Sequence, residues 1–282
     1  MLHLLAAILC SASMALVLRC FRDPKGNRYG IILGNYLTCI LLSALLTPRG
    51  SSVLLGDSST LLLGGIAGAF FVAGLVMMQT AVRRCGAGLT AAFSRLGLLV
   101  SLGVSVLFFH ETPSPLRLLG VGLVLAALVL IHGPKEEERR ARRRFWLLLL
   151  TLLCCGGADA MAKVYEQLGV QSESTRYFFW LFLTALALTA LLALLEWKRS
   201  GKKLLLKELS AGLLVGVPNY FSSYLLLRAL QRLPAFLVYP VYSTGTILLV
   251  LLVGALLFRE RLSRRQGLGV GLILAALVLL NL

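Results

Sequence analysis

One stretch occurs twice in this chain, and it governs what the rest can fold into. Leu119–Val129 reads LGVGLVLAALV and Leu268–Val278 reads LGVGLILAALV, identical at ten of eleven positions, with Val124 against Ile273 as the exception. The offset is 149 residues in a chain of 282. The same offset pairs Arg83 with Arg232, Phe109 with Phe258, Glu111 with Glu260 and Ser114 with Ser263. Apolar helices resemble each other through composition alone. An ungapped match that also carries charged and hydroxyl residues in register is a duplication.

The duplicated unit is a membrane unit. Hydrophobic residues make up 58% of the chain and mean hydropathy is +0.86, against roughly 45–50% apolar in soluble domains. The excess lies in runs long enough to span a bilayer. Ten spans are expected, near Leu2–Leu18, Tyr29–Leu46, Leu61–Val82, Leu89–Phe109, Leu116–Ile131, Phe145–Leu168, Tyr177–Leu195, Leu209–Leu230, Ala235–Phe258 and Gly267–Leu282. A charged segment divides them into a first repeat over 1–133, a linker over 134–144 and a second repeat over 145–282. Five is odd, so two such units joined by a short linker lie in opposite orientations. The expected fold is an all-α membrane protein with ten transmembrane helices as two inverted five-helix repeats, the plan of secondary transporters.

Charge supplies an orientation and excludes some functions. The loops after the odd-numbered spans hold 21 of the 28 basic residues, and those after the even-numbered spans hold Arg49, Arg117, Arg176 and Arg232. The positive-inside rule places the odd-numbered loops in the cytoplasm and both termini outside. The net charge of +16 then marks short loops that meet anionic headgroups, with no nucleic-acid partner expected. The cysteines fall mostly in apolar runs, without metal-ligand or disulfide spacing. The N-terminal MLHLLAAILCSAS lacks a basic n-region and an A-x-A site, and reads as the first retained span. His3, His110 and His132 lie near span ends, and no HExxH, GxSxG or Walker loop occurs. The chain is therefore read as no enzyme, with neither cofactor nor metal, driven by a proton or substrate gradient or by none.

Certain residues resemble a known family. Tyr224, Ala229-Leu230, Leu233-Pro234-Ala235, Pro240 and Phe258-Arg259-Glu260-Arg261-Leu262-Ser263 look like the second EamA-type repeat of the drug/metabolite transporter superfamily. Cys85-Gly86-Ala87, His110-Glu111 and the helix with Gly120 and Gly122 match the first repeat more loosely. The resemblance implies a ten-helix, two-repeat transporter of small organic molecules. Two features depart from it. The early tryptophan of the first span is absent, since Cys10–Met14 reads CSASM. The family's usual topology also puts both termini in the cytoplasm, against the charge count followed here.

Candidate site residues are the polar groups inside spans, where a charge costs roughly 2.5–3.5 kcal/mol at mid-bilayer. Arg95 lies about seven residues, roughly 10 Å, into the fourth span. It is either a planar fork for a carboxylate or phosphate, or a structural arginine held by Asp159 or a carbonyl. Asp159 and Lys163 are four apart on the sixth span and share a face. They form either a self-compensating pair or, in the sharper reading, a site where Asp159 carries a coupling proton or meets a substrate ammonium. Asn219 follows Pro218, and with Tyr220 and Tyr224 it lines a cavity or marks a packing kink. Tyr239 and Tyr242 flank Pro240, equivalent by offset to Thr90 and Phe93. Gln79 and Asn35 are weaker candidates. Glu111 and Glu260 are read as structural, capping helices or pairing with loop arginines. Gly267, Gly271 and Ala275, with Gly122 and Ala126, form small-residue rows that could make a dimer, with packing inside the bundle the expected use.

The functional expectation is a secondary transporter of a small polar or amphipathic metabolite, such as an amino acid, in the cytoplasmic membrane. Its pocket is lined by the third, fourth, sixth, eighth and ninth spans. Partners are the small-molecule substrate and membrane lipid, with the chain a monomer or homodimer. A flippase of lipid-linked substrates and a non-transport membrane protein are the competing readings.

Overall fold

A computed structural model describes residues 1–20, 27, 29–48, 52–54, 56–132, 145–201, 204–257 and 264–281. The linker over 134–144 and Glu260 lie outside the described residues. Eleven α-helices are described: α1 (Leu2–Cys20), α2 (Gly30–Leu45), α3 (Ser58–Cys85), α4 (Ala87–Leu96), α5 (Leu98–Phe109), α6 (Pro115–His132), α7 (Phe145–Leu168), α8 (Ser174–Ser200), α9 (Leu206–Leu230), α10 (Ala235–Leu257) and α11 (Arg264–Asn281). No strand occurs among the described residues. Among the described residues, six segments are long and apolar enough to cross a membrane: Ser58–Cys85, Leu89–Phe109, Phe145–Leu168, Gln171–Ser200, Leu206–Leu230 and Ala235–Gly254. Four shorter apolar helices are Leu2–Met14, Gly30–Leu45, Pro115–Ile131 and Arg265–Leu280. The chain is a multi-pass integral membrane protein. The turn between the third and fourth expected spans is a single residue, Gly86, at φ 91°, a conformation that glycine adopts without a Cβ clash.

The helices form two compact units, each drawing on both halves of the sequence. The first comprises Met1–Val72 and Val164–Arg228, the second Ala73–Lys163 and Ala229–Leu282. In the first unit, α2 and α8 run antiparallel. The Asn27 amide donates to the Ala193 carbonyl (3.2 Å) at one end, and the Thr47 hydroxyl meets that of Thr175 (3.3 Å) at the other. Two glycine rows bring backbones together. A Cβ on Gly64 would lie 2.8 Å from the Tyr177 carbonyl oxygen, and one on Gly68 2.8 Å from Thr184 Cβ. A Cβ on Gly212 would lie 2.8 Å from Gly34 Cα, and one on Gly216 2.6 Å from the Asn35 carbonyl oxygen. Close approach of this kind is what drives helices together where lipid is as apolar as their side chains. The interior is aromatic: Tyr36, Phe71, Phe178 and Tyr220 surround Phe182 with ring centroids 6.0–6.3 Å away.

In the second unit the two copies of the duplicated stretch pack on each other. A Cβ on Gly120 of α6 would meet Leu280 Cγ at 2.8 Å and the Ala276 carbonyl oxygen at 3.4 Å. A Cβ on Gly269 of α11 would meet Ile131 Cδ1 at 2.8 Å and the Ala127 carbonyl oxygen at 3.5 Å. Each contact is the other shifted by the repeat offset, and the helices run antiparallel. Here one expectation is corrected. The row Gly267, Gly271 and Ala275 does not pack inside the bundle: a Cβ on Gly267, Gly271 or Gly122 meets nothing within 4 Å, and Ala275 is exposed. Helical spacing shows that small residues share a face, but two such rows coexist on α11. The face that packs is the one whose partner carries a matching glycine.

Candidate functional site

The centre of the second unit is a glycine crossing. The expected fourth span is two helices, α4 and α5, meeting at Gly97, whose N–H bonds to the Ser94 carbonyl (3.3 Å) in a tightened turn. There the chain presses on α7 at Gly156. A Cβ on Gly97 would lie 2.8 Å from the Gly156 nitrogen, and one on Gly156 would strike the Gly97 carbonyl oxygen. The Ser101 hydroxyl donates to the Gly156 carbonyl (3.4 Å). Side chains near such a crossing come together. Arg95, two residues before Gly97, acts electrostatically on Asp159, three residues after Gly156, and on Cys155. Neither Arg95 nor the Asp159 carboxylate forms a hydrogen bond or ion pair among the described residues. Arg95 is half-buried and Asp159 is exposed. Of the two sequence readings of Arg95, the structural one therefore lacks its partner: neither Asp159 nor a carbonyl holds the guanidinium.

Other candidates support this centre to different degrees. Tyr239 of α10 is 2% exposed and its hydroxyl donates to the Asp159 backbone carbonyl (2.8 Å). It fixes the helix turn that presents the carboxylate. Gln79 of α3 is half-buried with its Oε1 buried and lacking a partner among the described residues. Its helix packs on α7 where Gly74 meets Cys155. Tyr242 is half-buried on α10.

Lys163 lies elsewhere in chemical terms. Its ammonium, 3% exposed, pairs with Glu111 Oε1 at 2.8 Å, and Glu111 Oε2 accepts from the Ala235 N–H at 3.2 Å. The expected self-compensating Asp159–Lys163 pair is thus corrected: among the described residues no ion pair joins them. Glu111 is structural, as expected, but its cation is a span lysine. His110, in the left-handed region at φ 53°, ends α5. The residue after it places one carboxylate on two jobs, neutralising a buried ammonium and binding one of the N-terminal amides that α10 cannot satisfy itself.

In the first unit Asn219 and Tyr224 bond to neighbouring side chains, whereas the buried Tyr220 hydroxyl has no hydrogen-bond partner among the described residues. The Asn219 amide donates to Asn35 Oδ1 (3.1 Å) and lies 3.7 Å from the Cys39 sulfur. Thr38 and Cys39 of α2 donate to the Leu213 and Gly216 carbonyls (3.1 and 3.4 Å), in the turn before Pro218. Tyr220 is fully buried, stacked 6.1 Å from Tyr224. Arg228 donates twice to the Tyr224 hydroxyl (3.1 and 2.7 Å), its guanidinium carbon 5.2 Å from that ring's centre.

Sequence reasoning passed over Gly97, Gly156 and Cys155. The signal was present in Gly156-Gly157, a glycine pair in the middle of an apolar run. No group of three or more potential metal-ligating side chains occurs among the described residues.

Residues 144–282 match the EamA-like transporter family. An uncharacterized protein of Haemophilus influenzae is 27% identical over 287 residues, covering 98% of this chain and 96% of that protein. A solved crystal structure superposes with a TM-score of 0.78 at 16% identity, covering 99% of this chain and 95% of that one. The last likeness concerns the fold alone.

Proposed function

We propose that this chain, whose residues 144–282 match the EamA-like transporter family, is a secondary transporter of a small polar or amphipathic metabolite, such as an amino acid or related organic solute. Ten spans in two inverted five-helix repeats carry the transport by alternating access. The reciprocal contacts of Gly120 and Gly269 support that arrangement, since inverted copies meeting at a pseudo-twofold axis repeat each contact with the roles exchanged.

The observation that carries the proposal is the pair of charges beside the Gly97–Gly156 crossing that form no hydrogen bond or ion pair among the described residues. A charge inside a span is retained for a partner. Arg95 offers a fork for a carboxylate, and Asp159 an acceptor for an ammonium or hydroxyl. A solute bearing both ends supplies what the protein leaves open. Gln79 adds an acceptor, while Tyr239 holds the Asp159 turn in place. Asn219, Tyr220, Tyr224 and Tyr242 belong to the polar and aromatic surroundings, and Lys163 to the Glu111 pair.

A thermal-shift screen of the purified protein tests this, using amino acids, nucleosides, sugar phosphates and organic cations. A ligand at about 100 times its Kd adds roughly 2.7 kcal/mol to the folded state. One chemical class is expected to raise Tm saturably, and Arg95→Ala and Asp159→Ala each to abolish the rise. A rise that survives both substitutions removes the site from these residues. Silence across the panel brings a lipid-linked substrate forward.

A further inference from the structure

The first unit carries a cleft unconnected with any candidate above. It is bounded by Leu33 of α2, by Ala190, Ala193, Leu194 and Trp197 of α8, and by Leu204 before α9. Its volume is about 230 Å³. Local sequence explains it. Ala190 and Ala193 leave room between α2 and α8, and the Asn27–Ala193 hydrogen bond pins the start of α2 beside that gap. Gly201, at φ 66° with its N–H on the Trp197 carbonyl (2.8 Å), ends α8 and reverses the chain. Leu204 then returns over the opening.

Apart from the Trp197 indole N–H the lining is apolar, without the several placed polar groups that small-molecule sites generally provide. The rim differs. Trp197 is 48% exposed, at the end of a span, where tryptophans sit at headgroup level. Lys198, Arg199 and Lys207 are exposed, and none has a hydrogen-bond or ion-pair partner through its side chain among the described residues. Glu208, the acidic residue of the α9 start, is 6% exposed. It is turned inward against Gly30 and accepts from the Leu205 N–H (3.4 Å). Glu196, before Trp197, is half-buried. The apolar slot thus adjoins, within three residues of Trp197 and Leu204 along the chain, cations that no carboxylate among the described residues neutralises.

We propose that this cleft binds one anionic phospholipid, its acyl chain between α2 and α8 and its phosphate at Lys198, Arg199 and Lys207. Basic pockets between spans recognise anionic headgroups, whose pull is about 1 kcal/mol per basic residue near the surface. The charge distribution selects the leaflet as well. This end of the unit lies on the basic side of the chain, which faces the cytoplasm by the positive-inside rule.

Trp197 is the reporter, because the chain has three tryptophans and the others, Trp146 and Trp180, can be replaced by phenylalanine. The W146F/W180F protein is reconstituted in vesicles containing phosphatidylglycerol or phosphatidylcholine with the same brominated acyl chain. Bromine quenches an indole that it touches. Brominated phosphatidylglycerol is expected to quench Trp197 at a mole fraction about five- to thirtyfold lower than brominated phosphatidylcholine, as one or two cations would produce. K198Q/R199Q/K207Q should abolish that difference. Ala193→Leu, which fills the slot, should lower the quenching plateau for both lipids. Equal quenching by the two lipids, or a preference untouched by the triple substitution, overturns the proposal. Quenching that falls as protein-to-lipid ratio rises assigns the cleft to a second copy of the chain and overturns it too.

Discussion

The two compact units treat polar groups inside spans differently. Around α2 and α9, amide meets amide, as Asn219 meets Asn35, and the guanidinium of Arg228 rests on Tyr224. Around α4 and α7, one carboxylate and one guanidinium stand within electrostatic reach yet unbonded, one turn from an ammonium that is fully engaged. Polar groups bonded to each other hold helices in register. Polar groups left open in a span are costly unless something else completes them. Under the proposed function, the contrast gives architecture to the bonded amides and ligand binding to the open charges, with the unbonded Tyr220 hydroxyl as the first unit's exception. It also makes the Lys163–Glu111 pair a test, because that pair lies in the second unit but behaves like the first unit's polar groups.

The largest expected effect breaks that pair. Glu111→Ala leaves the Lys163 ammonium buried and unneutralised and uncaps α10, a change of about 3–5 kcal/mol for a buried pair that loses one partner. Tm should fall steeply. Lys163→Met in the same background should recover most of the loss, because no buried charge is then left. If E111A/K163M is as unstable as Glu111→Ala alone, the carboxylate acts through Ala235 and the pair is incidental.

Next in size is the open pair. Arg95→Lys keeps the charge but loses the bidentate fork. Charge-assisted hydrogen bonds contribute about 1.5–3 kcal/mol, so affinity for the ligand found in the thermal-shift screen should drop by about tenfold or more. The Tm of the ligand-free protein should change little, since Arg95 forms no hydrogen bond or ion pair among the described residues. A large fall in ligand-free Tm would move Arg95 to the architectural set and erase the contrast.

The sequence made some of this readable and concealed the rest for physical reasons. The duplication at Leu119 and Leu268 was legible because a register match needs no coordinates, and the two helices that carry it, α6 and α11, are present. Arg95 and Asp159 were legible because charges in apolar runs are conspicuous. The partner of Lys163 was not. Asp159 is four residues away on the same helix, while Glu111 is brought near by the chain reversal after α5, which no periodicity encodes. The packing face of α11 was hidden for a similar reason. Gly267/Gly271 and Gly269 are both regular small-residue positions, and only the partner helix distinguishes them.

Gly156→Ala sharpens the comparison without touching a charge. Its Cβ would enter the Gly97 carbonyl oxygen and approach Val100 Cβ at 2.7 Å, so α4–α5 and α7 must part. Overpacking of this kind costs about 1–3 kcal/mol. Ligand response should be lost along with it, because the crossing is what brings Arg95 and Asp159 together. The neighbouring Gly103, whose Cβ would meet nothing within 4 Å, is the control: Gly103→Ala should leave both stability and ligand response intact.

The smallest expected effect lies in the amide pair of the first unit. Asn219→Ala removes the donor to Asn35 and leaves that amide's oxygen short of a partner, at a cost of about 1 kcal/mol. Replacing both, as N35L/N219L, removes the orphan acceptor together with its donor, and such double replacements are close to neutral when shape is kept. A purely architectural pair therefore gives a lower Tm in the single variant, partial recovery in the double one, and unchanged ligand affinity in both. The decisive reading is the affinity. If either variant binds the screened ligand about tenfold more weakly at unchanged stability, the first unit's amides contact the solute. Bonded and unbonded polar groups would then no longer divide architecture from binding.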